Sequence, residues 1–162
     1  MTNLCKAVLT ALAGKTLVTA ESLTGGGIGA ALTAVPGASE VFKGGVISYT
    51  NWVKHNILGV DQVLLDTYGA VSVPVAGAMA SGVRKLLQAD FAVSVTGLAG
   101  PGGDEFGHPV GTVCIGLDSN PKSIAKQYHF DGTREEIREQ TIRAALELVL
   151  EYCRVSDGDC VL

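Results

Sequence analysis

No apolar run in the sequence is long enough to span a bilayer, and the first residues, MTNLCKAVLTALAGK, lack the leading positive charge and cleavage pattern of a secretory signal. They read instead as an amphipathic first helix. Charge is sparse: Asp, Glu, Lys and Arg make up 17% of the 162 residues and leave a net charge of -4. With no basic stripe to displace counterions from a phosphate backbone, nonspecific DNA or RNA binding is disfavoured. The four cysteines, Cys5, Cys114, Cys153 and Cys160, sit far apart or at the tail and form no C-x-x-C pair, so neither a zinc site nor a disulfide framework is indicated. His108 and His129 have no metal-ligand partner at useful spacing. Internal repeats and low-complexity segments are absent. What is left is a globular chain, 47% hydrophobic, in which residues 1–162 read as one domain with a full core. A reducing cytoplasm is the expected setting, with no metal or other cofactor and no membrane or nucleic-acid partner.

The apolar pattern alternates helices and strands. Helical spacing of Leu4, Val8 and Leu12 ends at Gly14, and the run from Thr16 to Ala20 reads as a buried strand. A small-residue helix, Ile28 to Ala34, stops at Pro36 and Gly37, and a second strand is expected over Gly45 to Tyr49. Short helices follow at Trp52 to Ile57 and Gln62 to Tyr68, then a longer one capped by Ser72 and carrying Val75, Met79, Val83 and Leu86. Phe91 to Val95 is the third strand. The glycine- and proline-rich stretch from Gly97 to Pro109 is too long for a tight turn, and such loops in compact domains are usually functional. Val113 to Leu117 and Ile124 to Phe130 flank the turn DSNPK as an antiparallel hairpin. Thr133 and Glu136 make a capping box that starts the last helix. The order predicts an α/β fold: a three-layer α/β/α sandwich around a mixed, mostly parallel sheet of about five strands.

Ligands in such sheets bind outside the carboxyl ends of the strands, where three polar strand ends are expected to gather. Ser22 opens the segment AESLTGGGIG at a strand-to-helix turn, Tyr49 lies twenty-seven residues on, and Lys54 five beyond that. The ordinary role of such a serine is a helix cap. It becomes a nucleophile if a base takes its proton, and a desolvated lysine does so, with a tyrosine relaying or orienting the proton. A solvated surface position is the ordinary alternative for Lys54. The N–H groups around Thr24, Gly25 and Gly26 are expected to receive a developing oxyanion. Thr96 and Gly97 end the third strand and are candidate ligand contacts, although a threonine capping its own loop is equally ordinary. Arg134 has no local carboxylate partner on its helix, which leaves room for a ligand phosphate or ribose, although a solvated arginine is equally ordinary.

Two other readings compete. Gly25, Gly27 and Ala30 match the spacing G-x-G-x-x-A of a dinucleotide-binding turn, yet the second strand ends in Tyr49, Thr50 and Asn51 rather than in an acid for a ribose. A serine-histidine hydrolase using His55 lacks the G-x-S-x-G elbow.

The segments AESLTGG, VFKGGVISYTNWVKHNILGV and SVTGLAGPGGDEFGHPVGTV resemble, in this order and at the same spacing, the C-terminal domain of the competence/damage-inducible CinA family. The resemblance covers nearly the whole chain. It implies a serine-lysine-tyrosine amidohydrolase that converts nicotinamide mononucleotide to nicotinic acid mononucleotide and ammonia in pyridine-nucleotide salvage. Ser22 matches the nucleophile, Tyr49 the catalytic tyrosine and Lys54 the catalytic lysine. Larger members also carry an amino-terminal domain resembling molybdopterin-binding proteins, and no counterpart is read in these residues. Leu23 stands where the family commonly has cysteine, His108 where lysine often precedes Pro-Val-Gly, and Thr133 where an aspartate often precedes the arginine matched by Arg134. None of these departures touches the catalytic set. The expected partner is a small pyridine nucleotide and the expected assembly a homodimer; the alternative is a non-enzymatic, competence-related nucleotide-binding or interaction module.

Overall fold

The computed structural model describes residues 1–120 and 122–158, with side chains described as far as residue 154. The chain runs α1 (Thr2–Ala11), β1 (Leu17–Glu21), α2 (Gly27–Thr33), a 3-10 turn (Ala38–Glu40), β2 (Phe42–Ile47), α3 (Asn51–Asn56), α4 (Gln62–Tyr68), α5 (Val73–Leu87), β3 (Phe91–Gly97), β4 (Thr112–Ser119), β5 (Lys122–His129) and α6 (Arg134–Gly158). Pro121 of the hairpin turn and Cys160 lie outside the described residues. The five strands form one mixed sheet in the order β2-β1-β3-β4-β5. β1 pairs parallel with β2 and β3, while β3–β4 and β4–β5 are antiparallel.

Alternation along the strands divides two apolar layers. Leu17 on β1, Val93 and Val95 on β3, and Ile115 and Leu117 on β4 face α1, α2 and α6, where Val8, Leu12, Ile28, Ile137 and Val149 complete one core. Val18, Ala20 and Ala92 face the other way, onto Val75, Met79 and Val83 of α5. The period of two along each strand therefore gives the three layers. Polar side chains close the contacts that apolar ones leave: Ser94 Oγ donates to the Ala76 carbonyl of α5 at 2.5 Å, and Thr96 Oγ1 to the Ala70 carbonyl at 2.9 Å.

Side chains start the helices where the sequence places capping residues. Thr50, Asp61 and Ser72 each accept a hydrogen bond from an N–H in the first turn of α3, α4 and α5. Thr133 and Glu136 exchange the two bonds of a capping box at α6. The second strand is the one element clearly displaced from its expected position. It spans Phe42–Ile47 rather than Gly45 to Tyr49, with Gly44 inside the strand instead of before it. A Cβ at Gly45 would collide with the Thr19 side chain on β1, so glycine here serves a close strand approach. Tyr49 consequently lies two residues beyond the strand.

Close packing at a second glycine gives a test. Gly82, inside α5, faces the Leu58 carbonyl so tightly that a Cβ would overlap it, whereas a Cβ at Gly77 of the same helix would meet only Ala125 at 3.9 Å. Gly82→Ala is expected to cost about 1–3 kcal/mol from overpacking, outweighing the roughly 0.5–1 kcal/mol that alanine gains in a helix interior. Gly77→Ala is expected to be neutral or stabilising in the same urea titration; equal effects from the two changes would contradict this packing.

Candidate active site

Because β2, β1 and β3 are parallel neighbours, their carboxyl ends open on one edge of the sheet. Ser22 follows β1 directly, and its N–H donates to the Val95 carbonyl of β3 at 3.0 Å. Ser48 follows β2, with its N–H on the Glu21 carbonyl at 2.8 Å. The chain then turns through Thr50 into α3, which carries Lys54 back beneath the edge. Lys54 is 1% exposed. Its Nζ donates to Ser22 Oγ at 3.0 Å and to the Ser48 carbonyl at 2.8 Å, and it forms no ion pair among the described residues. Burial lowers its pKa from 10.5 to about 8. A buried amine near neutrality against a serine hydroxyl is the arrangement that activates a nucleophile.

The turn behind Ser22 is held by two charged side chains. Glu21, fully buried, accepts from Thr24 Oγ1 at 2.7 Å, Thr19 Oγ1 at 3.2 Å, and the N–H groups of Ile28 at 2.8 Å and Gly29 at 3.1 Å. This carboxylate occupies the N-terminus of α2, where a dinucleotide pyrophosphate would have to bind. The spacing of Gly25, Gly27 and Ala30 therefore does not make a phosphate site. From the far side, Arg138 of α6 donates through Nε to the Leu23 carbonyl at 3.0 Å and through Nη2 to the Thr24 carbonyl at 3.3 Å. His55 directs Nδ1 at the Val60 carbonyl, 2.7 Å away, so it offers Ser22 no base.

Ser22 and Lys54 open onto a cleft of about 720 Å³ lined also by Tyr49, Asp66, Thr96, Gly97, Asp104, Glu105 and Phe106. Its volume suits a small molecule. Tyr49 is 58% exposed, and its hydroxyl accepts from Arg134 Nη2 at 3.3 Å rather than meeting Ser22 or Lys54. Arg134 also donates through Nη1 to the Gly100 carbonyl at 2.5 Å, which ties the long loop to the cleft mouth. Thr24, Gly25 and Gly26 do not line the cleft. Thr24 is fully buried, and the Gly25 N–H donates to the Ser22 carbonyl at 3.1 Å.

The loop after β3 is ordered by one carboxylate. Asp104 accepts from the N–H groups of Phe106 and His108 at 3.2 and 3.0 Å, and its Oδ2 lies 2.7 Å from His108 Nδ1. The His108 partnership holds the Asp104 carboxyl below its usual value, even though partial burial opposes this. Phe106 then packs over Gly69, where a Cβ would strike its ring. Sequence reasoning missed Glu21, Arg138 and the acidic cleft wall. The apolar run before Ser22 conceals Glu21 as a strand residue, and Arg138 is separated from its partners by more than a hundred residues.

Comparison with known proteins places this geometry among relatives. A family model described as the CinA C-terminal domain matches residues 2–153. A CinA-like protein of Mycobacterium avium is 46% identical over 143 residues, covering 85% of this chain and 33% of that protein. A CinA-like protein of Synechococcus is 57% identical over 105 residues, covering 65% and 25% respectively. The chain thus spans a quarter to a third of the length of these curated relatives. Among solved structures, the competence/damage inducible protein CihA from Agrobacterium tumefaciens superposes with a TM-score of 0.88 at 40% identity, over 93% of each chain. A CinA superfamily protein from Klebsiella pneumoniae 700603 gives 0.92 at 33% identity, over 94% of this chain and 97% of its own. No helix among the described residues is long and apolar enough to cross a membrane.

One buried atom in the site yields a prediction. Ser48 Oγ is the only buried side-chain nitrogen or oxygen without a hydrogen-bond partner among the described residues, whereas the backbone of Ser48 holds both Glu21 and Lys54. An unsatisfied buried hydroxyl destabilises a fold by about 1–3 kcal/mol. Ser48→Ala is expected to leave Tm unchanged or raised; a marked fall in Tm would mean that the hydroxyl has a stabilising role.

Proposed function

The chain belongs to the family of CinA C-terminal domains, and from that premise we propose that it is a serine amidohydrolase that hydrolyses the carboxamide of nicotinamide mononucleotide to nicotinic acid mononucleotide and ammonia. The observation that carries the reading is the 3.0 Å contact between the Lys54 amine and Ser22 Oγ, made where burial brings the lysine pKa to about 8. At pH 7 such a group is neutral in about one molecule in ten, against about one in three thousand for an ordinary lysine. Neutral Lys54 has a lone pair for the Ser22 hydroxyl proton and keeps an N–H on the Ser48 carbonyl.

Ser22 Oγ then attacks the carboxamide carbon while its proton passes to Lys54 Nζ. The protonated lysine returns that proton to the departing nitrogen, ammonia leaves, and an ester remains on Ser22. Water, deprotonated by Lys54, releases the acid and restores the serine. The contact is direct, so Tyr49 is not needed as a relay for the first proton. A role for Tyr49 at the cleft mouth, stacking on the ligand or orienting it together with Arg134, fits its exposure better.

Substrate charge favours the pyridine nucleotide. Asp66, Asp104 and Glu105 line the cleft beside the exposed rings of Tyr49 and Phe106, a setting that suits a cationic pyridinium over a neutral amide. Thr96 and Gly97 at the end of β3 are the remaining proposed ligand contacts, with Arg134 for the phosphate or ribose.

Three measurements test the reading. Ser22→Ala is expected to abolish ammonia release while circular dichroism stays that of the wild type; unchanged turnover removes Ser22 from the mechanism. The pH dependence of kcat/KM is expected to rise through an apparent pKa near 8, because activity needs the unprotonated lysine. A flat profile from pH 6 to 10 would exclude Lys54 as the base. Ammonia release from none of nicotinamide mononucleotide, nicotinamide riboside, nicotinamide and NAD would favour the non-enzymatic binding module instead.

A further inference from the structure

Resting on the reading of Ser22 as nucleophile, we propose that Arg138 is a positioning residue for the hydrolysis: its guanidinium locks the turn behind Ser22 so that the Leu23 N–H is held ready for the oxyanion. When Ser22 Oγ bonds to the carboxamide carbon, the carbonyl π electrons move onto the carbonyl oxygen, and that negative charge needs a donor already in position. The backbone around Ser22 leaves few. The Ser22 N–H is engaged with the Val95 carbonyl, the Gly25 N–H with the Ser22 carbonyl and the Gly27 N–H with the Thr24 carbonyl. Among the described residues, the N–H groups of Leu23, Thr24 and Gly26 meet no acceptor. Of these, the Leu23 N–H belongs to the peptide that follows Ser22, the residue that lines the cleft, which makes it the free donor next to the nucleophile along the chain.

The two peptide planes flanking Leu23 are each pinned through a carbonyl. In a trans peptide the C=O and N–H point in opposite directions. The bond from the Gly25 N–H draws the Ser22 carbonyl into the turn, which directs the Leu23 N–H out of it. Arg138 holds the next plane through the Leu23 carbonyl and the one after through the Thr24 carbonyl. These are charge-assisted bonds from a planar fork. Arg138 forms no ion pair among the described residues, so its interactions at this turn are with backbone carbonyls. A Cβ added at Gly25 would sit 3.8 Å from Arg138 Nη2, which places the guanidinium directly against the turn.

The test is the steady-state kinetics of Arg138→Ala and Arg138→Lys with nicotinamide mononucleotide, alongside the wild type and Ser22→Ala. Arg138→Ala is expected to lower kcat by about 10- to 100-fold, less than the roughly 10²–10³-fold of deleting an oxyanion donor outright. KM is expected to change less than about two-fold, and the pH limb near 8 to stay in place, since Lys54 is untouched. Millimolar guanidinium chloride is expected to recover part of the activity of Arg138→Ala and none of Ser22→Ala. Arg138→Lys keeps the charge but has a shorter reach and lacks the planar fork whose Nε and Nη2 meet the two carbonyls, so it is expected to lose kcat similarly; it also serves as the decisive variant if the alanine protein does not fold. A rise in KM with kcat intact would make Arg138 a ligand contact and overturn the proposal, as would wild-type kcat in Arg138→Lys or a loss that follows the unfolded fraction without guanidinium recovery. If the wild type releases no ammonia from any amide, the amidohydrolase reading fails and this inference with it; an active wild type with unaffected Arg138 variants overturns this inference alone.

Discussion

An ammonium group held in the interior without a counter-ion among the described residues is the constraint around which the site is organised. Lys54 is buried under the sheet edge at the floor of the cleft, with a serine hydroxyl and a backbone carbonyl as partners, and desolvation disfavours its charged form. The sign follows from linkage. The folded pKa of about 8 lies below the ordinary 10.5, so between these values the unfolded chain binds the extra proton and stability rises with pH. Below about pH 8 the burden is present in full, on the order of 3 kcal/mol from the size of the shift. A fold that retained such a lysine for packing alone would do better with methionine or leucine. The cost makes sense if the neutral amine has chemical work beside Ser22.

The rest of the molecule serves to hold that pair. Parallel pairing of β2, β1 and β3 brings Ser48, Ser22 and Thr96 to one edge, and glycine at position 45 lets β2 approach β1 closely. Glu21 and Arg138 hold the turn at Ser22 from within and behind: the carboxylate satisfies the first N–H groups of α2, and the guanidinium satisfies carbonyls that point the other way. Neither has an oppositely charged partner nearby among the described residues. Both are matched to the backbone, which ties the position of Ser22 to α2 and α6 at once.

The layers were legible because periodicity survives in β1, β3, β4 and α5, and capping residues mark the helix starts at Thr50, Asp61, Ser72 and Thr133. The meeting of Ser22 with Lys54 was legible because a serine at a strand-to-helix turn and a lysine one short helix away are local patterns. The start of the second strand was missed because Gly44 and Gly45, small for close approach to β1, carry no apolar side chain to mark the pairing that begins at Phe42. The environment of the turn was not legible at all. Arg138 reaches Leu23 and Thr24 across the core, and nothing in its own helix announces that direction. Tyr49 shows the converse: spacing groups it with Lys54, yet a strand that ends two residues early leaves its hydroxyl at the cleft mouth with Arg134.

The central claim, that Lys54 deprotonates Ser22, is tested most directly by labelling with a serine-directed fluorophosphonate and locating the adduct by mass spectrometry as a function of pH. A single adduct on Ser22 is expected, with a rate of formation that rises through a pKa near 8 and collapses in Lys54→Ala. Labelling of Ser22 at an equal rate in Lys54→Ala, or an adduct confined to another residue, would contradict it.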